Sequence, residues 1–317
     1  MIAFGPVPSR RLGRSLGINN IPPKVCTYSC VYCQLGRTIK MRVERRAFYE
    51  PEEILKAVQE KVNKAKAAGE SIDYLTFVPD GEPTLDIHLG REIELLRPLG
   101  IPIAVITNAS LIGREDMRGA LMKADWVSLK VDSSREDVWR RINRPHRTLQ
   151  LASILDGMLE FAKAYRGELA TETMLVEGVN DSDGHVQKIA DFLAQLGPAT
   201  AYLSIPTRPP AENWVQPPCE EAFNRAYQIL SERLDHVEYL MGYEGNAFAF
   251  TGNAEKDLLS ITAVHPMRED AVRDFLARAK ADWFIVNNLI YQGQLIEMEY
   301  EGKRFYMRKL RGEGDEL

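Results

Sequence analysis

The sequence predicts an α/β protein built on a parallel sheet with crossover helices. Between residues 50 and 206, an amphipathic helical segment is followed by a short apolar segment five times in succession. Each apolar segment ends in a loop rich in Gly, Pro, Asn or Ser. This alternation is typical of βαβ units, which form either an open doubly wound sheet or a complete or partial barrel.

The first of these helices is predicted at residues 51–69, where Pro51 opens the apolar pattern and Gly69 ends it. A buried strand follows at residues 72–78. The other helix and strand pairs are 90–100 and 101–110, 114–124 and 125–132, 151–167 and 168–178, and 185–197 and 199–206. Residues 15–21 add one more, giving about six strands. Loops at the carboxyl ends of such strands build the active site.

The pattern changes after about residue 245. Three short helices are predicted at 254–264, 268–279 and 281–293, followed by two alternating strands that turn at Glu301 and Gly302. Three helices and a hairpin suggest a winged helix. We therefore predict a barrel domain over residues 1–245, a small winged-helix-like domain over 246–312 and a disordered tail over 313–317.

Composition and charge narrow the function classes. Of the 317 residues, 45% are hydrophobic and 27% are charged, which is typical of a globular protein. The sequence offers no signal peptide and no apolar stretch of membrane-spanning length, so we predict a cytoplasmic location and no membrane partner. A net charge of -5 gives no general attraction to nucleic acid.

The predicted recognition helix of the winged-helix domain carries Asp282 and no lysine or arginine. This is a poor match to a phosphate backbone, which argues against DNA as a partner. Basic residues of the hairpin are offset by Glu297, Glu299 and Glu301. The domain is better interpreted as a module that contacts a protein or docks a substrate.

Three of the four cysteines, Cys26, Cys30 and Cys33, lie within eight positions as C-x3-C-x2-C. Buried structural thiols, a zinc site and an iron-sulfur cluster are the three interpretations. Polar and aromatic neighbours argue against the first, and zinc needs a fourth ligand such as Cys219 or a distant histidine. Three thiolates would leave one iron of a cluster open, as a reactive centre requires, so the cluster is favoured.

The C-x3-C-x2-C spacing resembles the signature of the radical S-adenosylmethionine superfamily, which lies on a loop after the first strand. The resemblance implies a partial (β/α)6 TIM-like barrel and a [4Fe-4S] cluster held by the three cysteines. It also implies that S-adenosylmethionine chelates the open iron and is cleaved reductively to a 5′-deoxyadenosyl radical, which abstracts hydrogen from a substrate in the barrel mouth. An electron donor such as flavodoxin or ferredoxin is then implied.

Further residues match superfamily positions that contact S-adenosylmethionine. By this resemblance, the cofactor-binding residues are Tyr32, Gly81, Glu82, Asn108, Ser128, Lys130 and Glu172. Tyr32 is expected beside the adenine, and "GEP" at residues 81–83 resembles a Gly-Gly-Glu element that binds the methionyl ammonium. Asp80 replaces the first glycine of that element.

Each of these assignments has an ordinary structural alternative. Tyr32 would otherwise pack in its loop, and Glu82 would be a solvated acid. Lys130, a charge within an apolar strand, is expected to point into the barrel toward an anion or to extend to the strand end. Glu172 is expected to bind a ribose hydroxyl or a substrate amine, or to form a structural salt bridge.

Other stretches, including "FVPDGEPTLD", "RINRPH" and "SIPTRPPAE", resemble the wyosine-type Fe-S oxidoreductases over residues 1 to about 245. The wyosine synthase of that group has a second cluster, for which this chain offers only Cys219, so the substrate stays unassigned. The arginines and histidine that either form a basic mouth or make surface ion pairs are Arg10, Arg11, Arg14, Arg37, Arg141, Arg144, His146 and Arg208.

Two function classes follow. The first is a radical enzyme that acts on RNA, a peptide or a small metabolite. The second is a regulator in which a labile cluster senses iron or oxygen and the winged helix transmits the signal. Polar motifs at successive strand ends favour the enzyme, because a sensor has no use for them.

Overall fold

The computed structural model describes residues 1–240, 248, 250, 252–264 and 266–309. The expected domain boundary at residues 245 and 246 and the expected tail at 313–317 lie outside these residues. Within the described ranges, no helix combines the length and apolar character that crossing a bilayer demands.

The strands and helices follow the predicted alternation. The strands are β1 (Ala3–Ser9), β2 (Gly13–Ile18), β3 (Val25–Cys26), β4 (Lys40–Met41), β5 (Tyr74–Phe77), β6 (Ile103–Thr107), β7 (Trp126–Lys130), β8 (Glu168–Met174), β9 (Thr200–Ser204), β10 (Val237–Leu240), β11 (Met267–Arg268), β12 (Leu295–Tyr300) and β13 (Lys303–Arg308). The α-helices are α1 (Pro51–Ala67), α2 (Leu89–Leu96), α3 (Glu115–Leu121), α4 (Glu136–Asn143), α5 (Leu151–Ala164), α6 (Asp183–Leu196), α7 (Glu220–Ser231), α8 (Ala254–Val264), α9 (Glu269–Arg278) and α10 (Phe284–Tyr291). Two short 3-10 turns lie at Pro83–Leu85 and Arg97–Leu99.

The main sheet has eight strands in the order β1-β2-β5-β6-β7-β8-β9-β10 and curls into a half-barrel. β1 runs antiparallel to β2, and every other neighbouring pair is parallel. The predicted α/β fold with a partial barrel is therefore confirmed.

Sequence reasoning missed the two edge strands, β1 and β10. β1 contains Pro6 and Pro8, which read as breakers but are tolerated on an edge strand that lacks a second neighbour. β10 is only four residues long and carries Glu238, so its apolar pattern is too short to stand out.

The two faces of the sheet have different contents, and β7 shows the division. Val127 and Leu129 are fully buried against helices on the convex face. Trp126 faces inward, where it packs with Tyr202 and other residues in a small cluster on the concave side. By the alternation of a strand, Lys130 is on the same inward face at the carboxyl end. The inner face is thus apolar at one end and charged at the other.

The described part of the C-terminal region contains α8, α9, α10 and the β12-β13 hairpin, with β11 pairing to β13. The three predicted helices and the predicted hairpin are present, and the hairpin turns at Glu301 and Gly302. This region has its own core around Phe275 and Tyr306. It packs on the barrel, where Lys61 in α1 pairs with Asp257 in α8 at 3.2 Å.

Candidate active site

The cysteine loop runs from β3 to β4 beside the carboxyl ends of the sheet strands. Cys26, Cys30 and Cys33 all line one cavity of about 330 Å³. Two tight turns shape the loop, because the Cys33 amide donates to the Cys30 carbonyl at 3.1 Å and the Gly36 amide donates to the Cys33 carbonyl at 3.0 Å. The fourth cysteine, Cys219, is exposed at the N-terminus of α7 and is not among the residues that line this cavity.

The root of the loop is fastened to the turn that follows β5. The Lys24 amide donates to the Asp80 carbonyl at 2.6 Å, and the Glu82 amide donates to the Val25 carbonyl at 3.1 Å. A Cβ on Gly81 would lie 2.0 Å from the Val25 carbonyl oxygen, which no side chain tolerates. Glycine is therefore required here by the approach of two backbones, and Gly81 also lines the cavity.

Two asparagine amides donate toward cysteine sulfurs. Nδ2 of Asn108 lies 3.6 Å from Sγ of Cys26, and Nδ2 of Asn143 lies 3.5 Å from Sγ of Cys30. Sequence reasoning named Asn108 but missed Asn143, although the stretch "RINRPH" that contains it was singled out. Nothing in a single sequence indicates that the last residue of α4 turns its amide to a cysteine.

Glu82 follows Gly81 in the chain but is not among the residues that line the cavity. Its side chain is buried and accepts hydrogen bonds from the Thr84 amide and hydroxyl, from the Thr107 hydroxyl and from the Asn108 amide. Burial raises the pKa of this carboxyl, while these hydrogen bonds oppose the rise. The carboxylate thus ties the end of β5 to the end of β6 and holds the backbone of Asn108.

Lys130 and Glu172 face each other on adjacent strands, where they are paired in register. Nζ of Lys130 lies 2.7 Å from Oε1 of Glu172, and Arg11 forms a second salt bridge to Oε2. Arg11 belongs to the β1-β2 turn, so its side chain spans the barrel interior to β8. The Ser204 hydroxyl also donates to Oε1 of Glu172, at 2.9 Å.

Lys130 and Glu172 determine each other's protonation state. Burial alone would raise the pKa of Glu172, but Lys130 and Arg11 hold that pKa well below its usual range. Burial alone would lower the pKa of Lys130, but Glu172 and Asp132 raise it above the ordinary value. Lys130 and Glu172 therefore both carry full charge at neutral pH.

Tyr32 belongs to the cysteine loop and lines the cavity. Its hydroxyl donates to Oδ2 of Asp132 and accepts from the Asn143 amide at 3.2 Å. The Lys130 ammonium lies 5.0 Å from the centre of the Tyr32 ring, within cation-π range. Burial raises the pKa of this phenol well above its usual value, so the ring is neutral and held on three sides.

The structure brings most of the sequence-predicted site residues to one cavity. Those in its lining are Cys26, Cys30, Tyr32, Cys33, Gly81, Lys130 and Glu172. Glu82, Asn108 and Ser128 are not in its lining, and Ser128 is buried within β7. Sequence reasoning missed Asp132 and Ser204, whose positions at strand ends were the available signal.

Asp80 also lines the cavity and is almost fully buried. Burial raises the pKa of its carboxyl to about 7. Among the described residues its Oδ1 has no hydrogen-bond partner. The sequence marked this position only as a departure from the expected glycine, and the structure shows a carboxyl that faces the site.

Six of the seven arginines expected at the mouth fall into two groups, and the seventh, Arg141, donates to the Gly178 carbonyl at 3.4 Å. Arg37 and Arg144 both pair with Glu212, at 2.8 and 2.5 Å, and Arg14 pairs with Glu70. These three are held by carboxylates at the surface or rim. By contrast, the arginines that line the cavity are Arg10, Arg11 and Arg208.

The fold and this site belong to a known class of protein. Residues 20–203 match the model of the Radical SAM superfamily. The chain belongs to this superfamily and is a radical S-adenosylmethionine enzyme. It is similar to the UPF0026 protein MJ1312 of Methanocaldococcus jannaschii, with 50% identity over 312 residues that cover 98% of this chain and 97% of that protein.

Solved structures show the same fold at low sequence identity. A structure of TYW1 with a lysine-pyruvate adduct bound matches with a TM-score of 0.52 and 17% identity, over 70% of this chain and 74% of that one. Streptococcus suis SuiB bound to S-adenosylmethionine matches with a TM-score of 0.53 and 12% identity, over 72% of this chain and 51% of that one. These likenesses establish the shared barrel.

Members of the superfamily use a [4Fe-4S] cluster and S-adenosylmethionine. The residues present fit these groups, because three thiols reach one cavity and two amides already donate toward two of the sulfurs. Burial raises the pKa of all three thiols, that of Cys30 to about 12, so bound iron would have to displace their protons. In the described part of the chain, no three His, Cys, Asp or Glu side chains converge as ligands of a single ion would.

Proposed function

We propose that this protein cleaves S-adenosylmethionine reductively and abstracts a hydrogen atom from a substrate held in the cavity. Cys26, Cys30 and Cys33 would hold the [4Fe-4S] cluster, which supplies the electron for that cleavage. The observation that best supports this proposal is that these three thiols share one cavity with the partly buried Lys130–Glu172 pair.

The remaining site residues have binding and positioning roles in this proposal. Tyr32 would offer its ring to the adenine, and Lys130 and Glu172 would contact the ribose or the methionyl carboxylate. Gly81 would let the cofactor approach the backbone. Glu82, Asn108 and Ser128 would act indirectly, because the first two are hydrogen-bonded to the protein and the third is buried.

The wider assignment is also a proposal. We place the boundary between the barrel domain (residues 1–245) and the winged-helix-like domain (246–312) where the helix and strand pattern changes, with the tail at 313–317. The chain is grouped with the wyosine-type oxidoreductases, acts in the cytoplasm, and receives electrons from a flavodoxin or ferredoxin. The winged-helix-like domain would contact a protein or the substrate rather than DNA.

The match to enzymes gives no support to the alternative, a cluster-based sensor. A direct test is to reconstitute the cluster without oxygen, add dithionite and S-adenosylmethionine, and measure 5′-deoxyadenosine. We expect product from the wild type and from Cys219→Ala, whose thiol is exposed at α7, and none from Cys30→Ala. The proposal fails if the wild type makes no product, or if Cys30→Ala makes as much.

A further inference from the structure

Two chain segments flank the cysteine loop at Cys26. Residues 37–44 contain β4, which pairs with β3, and the Arg42 amide donates to the Cys26 carbonyl at 3.1 Å. Residues 144–147 follow α4, and the His146 amide donates to the carbonyl of the next loop residue at 2.9 Å. We call the exposed side of these two segments the loop-side surface.

The two segments meet at Glu44. Backbone hydrogen bonds lower the pKa of this exposed carboxyl, and the charges of His146 and Arg42 lower it further. Charges act on an exposed group only from close range, because water and salt screen longer distances. The loop-side surface is therefore continuous across both segments, and both are hydrogen-bonded to the backbone at Cys26.

The loop-side surface exposes large apolar side chains. Ile39 directly precedes β4 and Met41 ends it, and these side chains are 50% and 39% exposed. Residues two positions apart on a strand share a face, so the two side chains lie together. The side chain of Arg37 is 71% exposed nearby in the chain. Apolar groups among arginines are typical of protein interfaces, where methionine and arginine are enriched.

Positive charge exceeds negative charge on this surface. One carboxylate, Glu212, accepts from both the Arg37 and the Arg144 guanidinium. Nε of Arg42 has no hydrogen-bond partner in the described part of the chain, and Arg147 is exposed. The guanidinium groups are thus those of Arg37, Arg42, Arg144 and Arg147, and the carboxylates beside them are Glu44 and Glu212.

Resting on the proposed function, we infer that the loop-side surface docks the acidic one-electron carrier protein that reduces the cluster. Ile39 and Met41 form the apolar centre of the contact, and Arg42 and Arg147 attract carboxylates of the carrier. One electron passes from the reduced carrier to the cluster, so the carrier is oxidised by one electron and no atom is transferred. Electron transfer slows steeply with distance, and this surface is bonded to the backbone that carries Cys26.

Charge and side-chain chemistry favour this occupant. The chain has a net charge of -5, so an acidic carrier would be repelled unless a local basic surface oriented it. RNA is the other polyanion that such a surface could attract. RNA-binding surfaces stack bases on aromatic rings, whereas the exposed centre here is aliphatic.

The test measures docking without S-adenosylmethionine. Reconstituted protein is titrated into an oxidised, isotope-labelled flavodoxin of acidic net charge, and the dissociation constant is obtained from NMR shifts at low and high salt. We expect the double variant Arg42→Gln/Arg147→Gln to bind about tenfold more weakly at low salt, the lower end of the range for electrostatic steering. The difference should shrink at high salt, because salt screens exposed charges.

Two further variants separate the apolar and charged contributions. Ile39→Asp should weaken docking at both salt concentrations, because it removes an apolar contact and adds a like charge. Lys163→Gln is the matched control, since Lys163 is exposed in the last turn of α5. Crossover helices run opposite to the strands, so this position lies at the other end of the barrel from the cysteine loop. The control should dock as the wild type does.

Reduction kinetics provide a second measurement. The reduced flavodoxin should reduce the cluster more slowly in the double variant and in Ile39→Asp, in proportion to the loss of docking. Dithionite needs no docking surface, so its reduction of the cluster should be unchanged in both.

No docking by the wild type, wild-type docking in the double variant, or an equal loss in Lys163→Gln would overturn the inference. Transfer RNA binding that depends on Arg42 and Arg147, with unchanged flavodoxin docking, would also overturn it. Because docking is measured without S-adenosylmethionine, its failure is distinct from failure of the proposed function. Docking with no 5′-deoxyadenosine would reject the enzyme reaction alone, and 5′-deoxyadenosine made with dithionite but no docking would reject this surface alone.

Discussion

At the scale of single residues, the cysteines are surrounded by groups that act on their sulfurs. Asn143 is buried and donates to Asp132 at 2.7 Å as well as toward Cys30. Asp132 therefore sets the position of the Asn143 side chain. Asp132 itself accepts hydrogen bonds from the Tyr32 hydroxyl and from the Met174 backbone amide. Spacing alone predicted the three cysteines, whereas Asn143 comes from a helix 113 positions from Cys30 and only the fold brings them together.

We expect Asn143→Ser to make the reconstituted cluster harder to reduce. Hydrogen bonds to cluster sulfurs stabilise the more electron-rich reduced state, so removing one lowers the reduction potential. Loss of the donor to Asp132 should also cost about 1–3 kcal/mol of stability. The measurement is a redox titration followed by electron paramagnetic resonance.

Asn180→Ser provides the matched control for this titration. Asn180 is also buried, but its amide donates to the carbonyls of Asp132 and Met174 and not to sulfur. The Asn180→Ser variant should be less stable than the wild type, but the reduction potential of its cluster should be unchanged. An unchanged potential in Asn143→Ser, or an equal shift in both variants, would contradict the role assigned to Asn143.

At the scale of elements, a buried carboxyl pair joins the turn after β5 to α2. Glu92 in α2 and Asp86 are both fully buried, and the Asn20 amide bridges Glu92 and the Pro83 carbonyl at 3.2 Å each. Burial raises the pKa of both acids, and their mutual repulsion raises that of Glu92 further. The pair therefore keeps a proton at neutral pH and fixes Asn20 just before the cysteine loop.

The pair predicts a specific pH dependence of stability. The folded state keeps a proton that the unfolded chain releases near the ordinary Glu pKa, so raising the pH favours unfolding. The free energy of unfolding should fall by up to about 1.4 kcal/mol for each pH unit while only the folded state keeps that proton. Urea titrations between about pH 6 and pH 9 would measure this fall.

Glu92→Gln should flatten that dependence, because glutamine stays neutral. Glu52→Gln, at an exposed position of α1, should leave the wild-type slope unchanged. A wild type whose stability does not change over this range, or a Glu92→Gln variant with the full wild-type slope, would show that the pair does not hold the proton.

The elements themselves were largely predictable. Periodicity identified six strands of the main sheet, because these strands are largely buried and read as apolar runs. It also identified the helices between them except α4 (Glu136–Asn143). Edge strands β1 and β10 and the two-residue strands β3 and β4 lack such a run. The β1-β2 turn, which carries Arg10 and Arg11 into the cavity, could not be placed without knowing that β1 pairs with β2.

At the scale of the whole molecule, the C-terminal region contacts the barrel next to the candidate active site. The Tyr300 hydroxyl at the hairpin donates to the Pro206 carbonyl at 3.3 Å, and Pro206 lines the cysteine cavity. Arg308 lies near enough to Asp80 to oppose the rise in its pKa. Sequence predicted the helices and the hairpin but not this contact, since no local pattern encodes which surface a second region covers.

The proposed function depends on three thiolates that would hold the cluster and leave one iron open to S-adenosylmethionine. The most direct measurement is the electron paramagnetic resonance spectrum of the reduced, reconstituted protein before and after S-adenosylmethionine is added. We predict a [4Fe-4S] signal that changes on addition of the cofactor. A protein that assembles no such cluster, or a signal that S-adenosylmethionine leaves unchanged, would contradict the account.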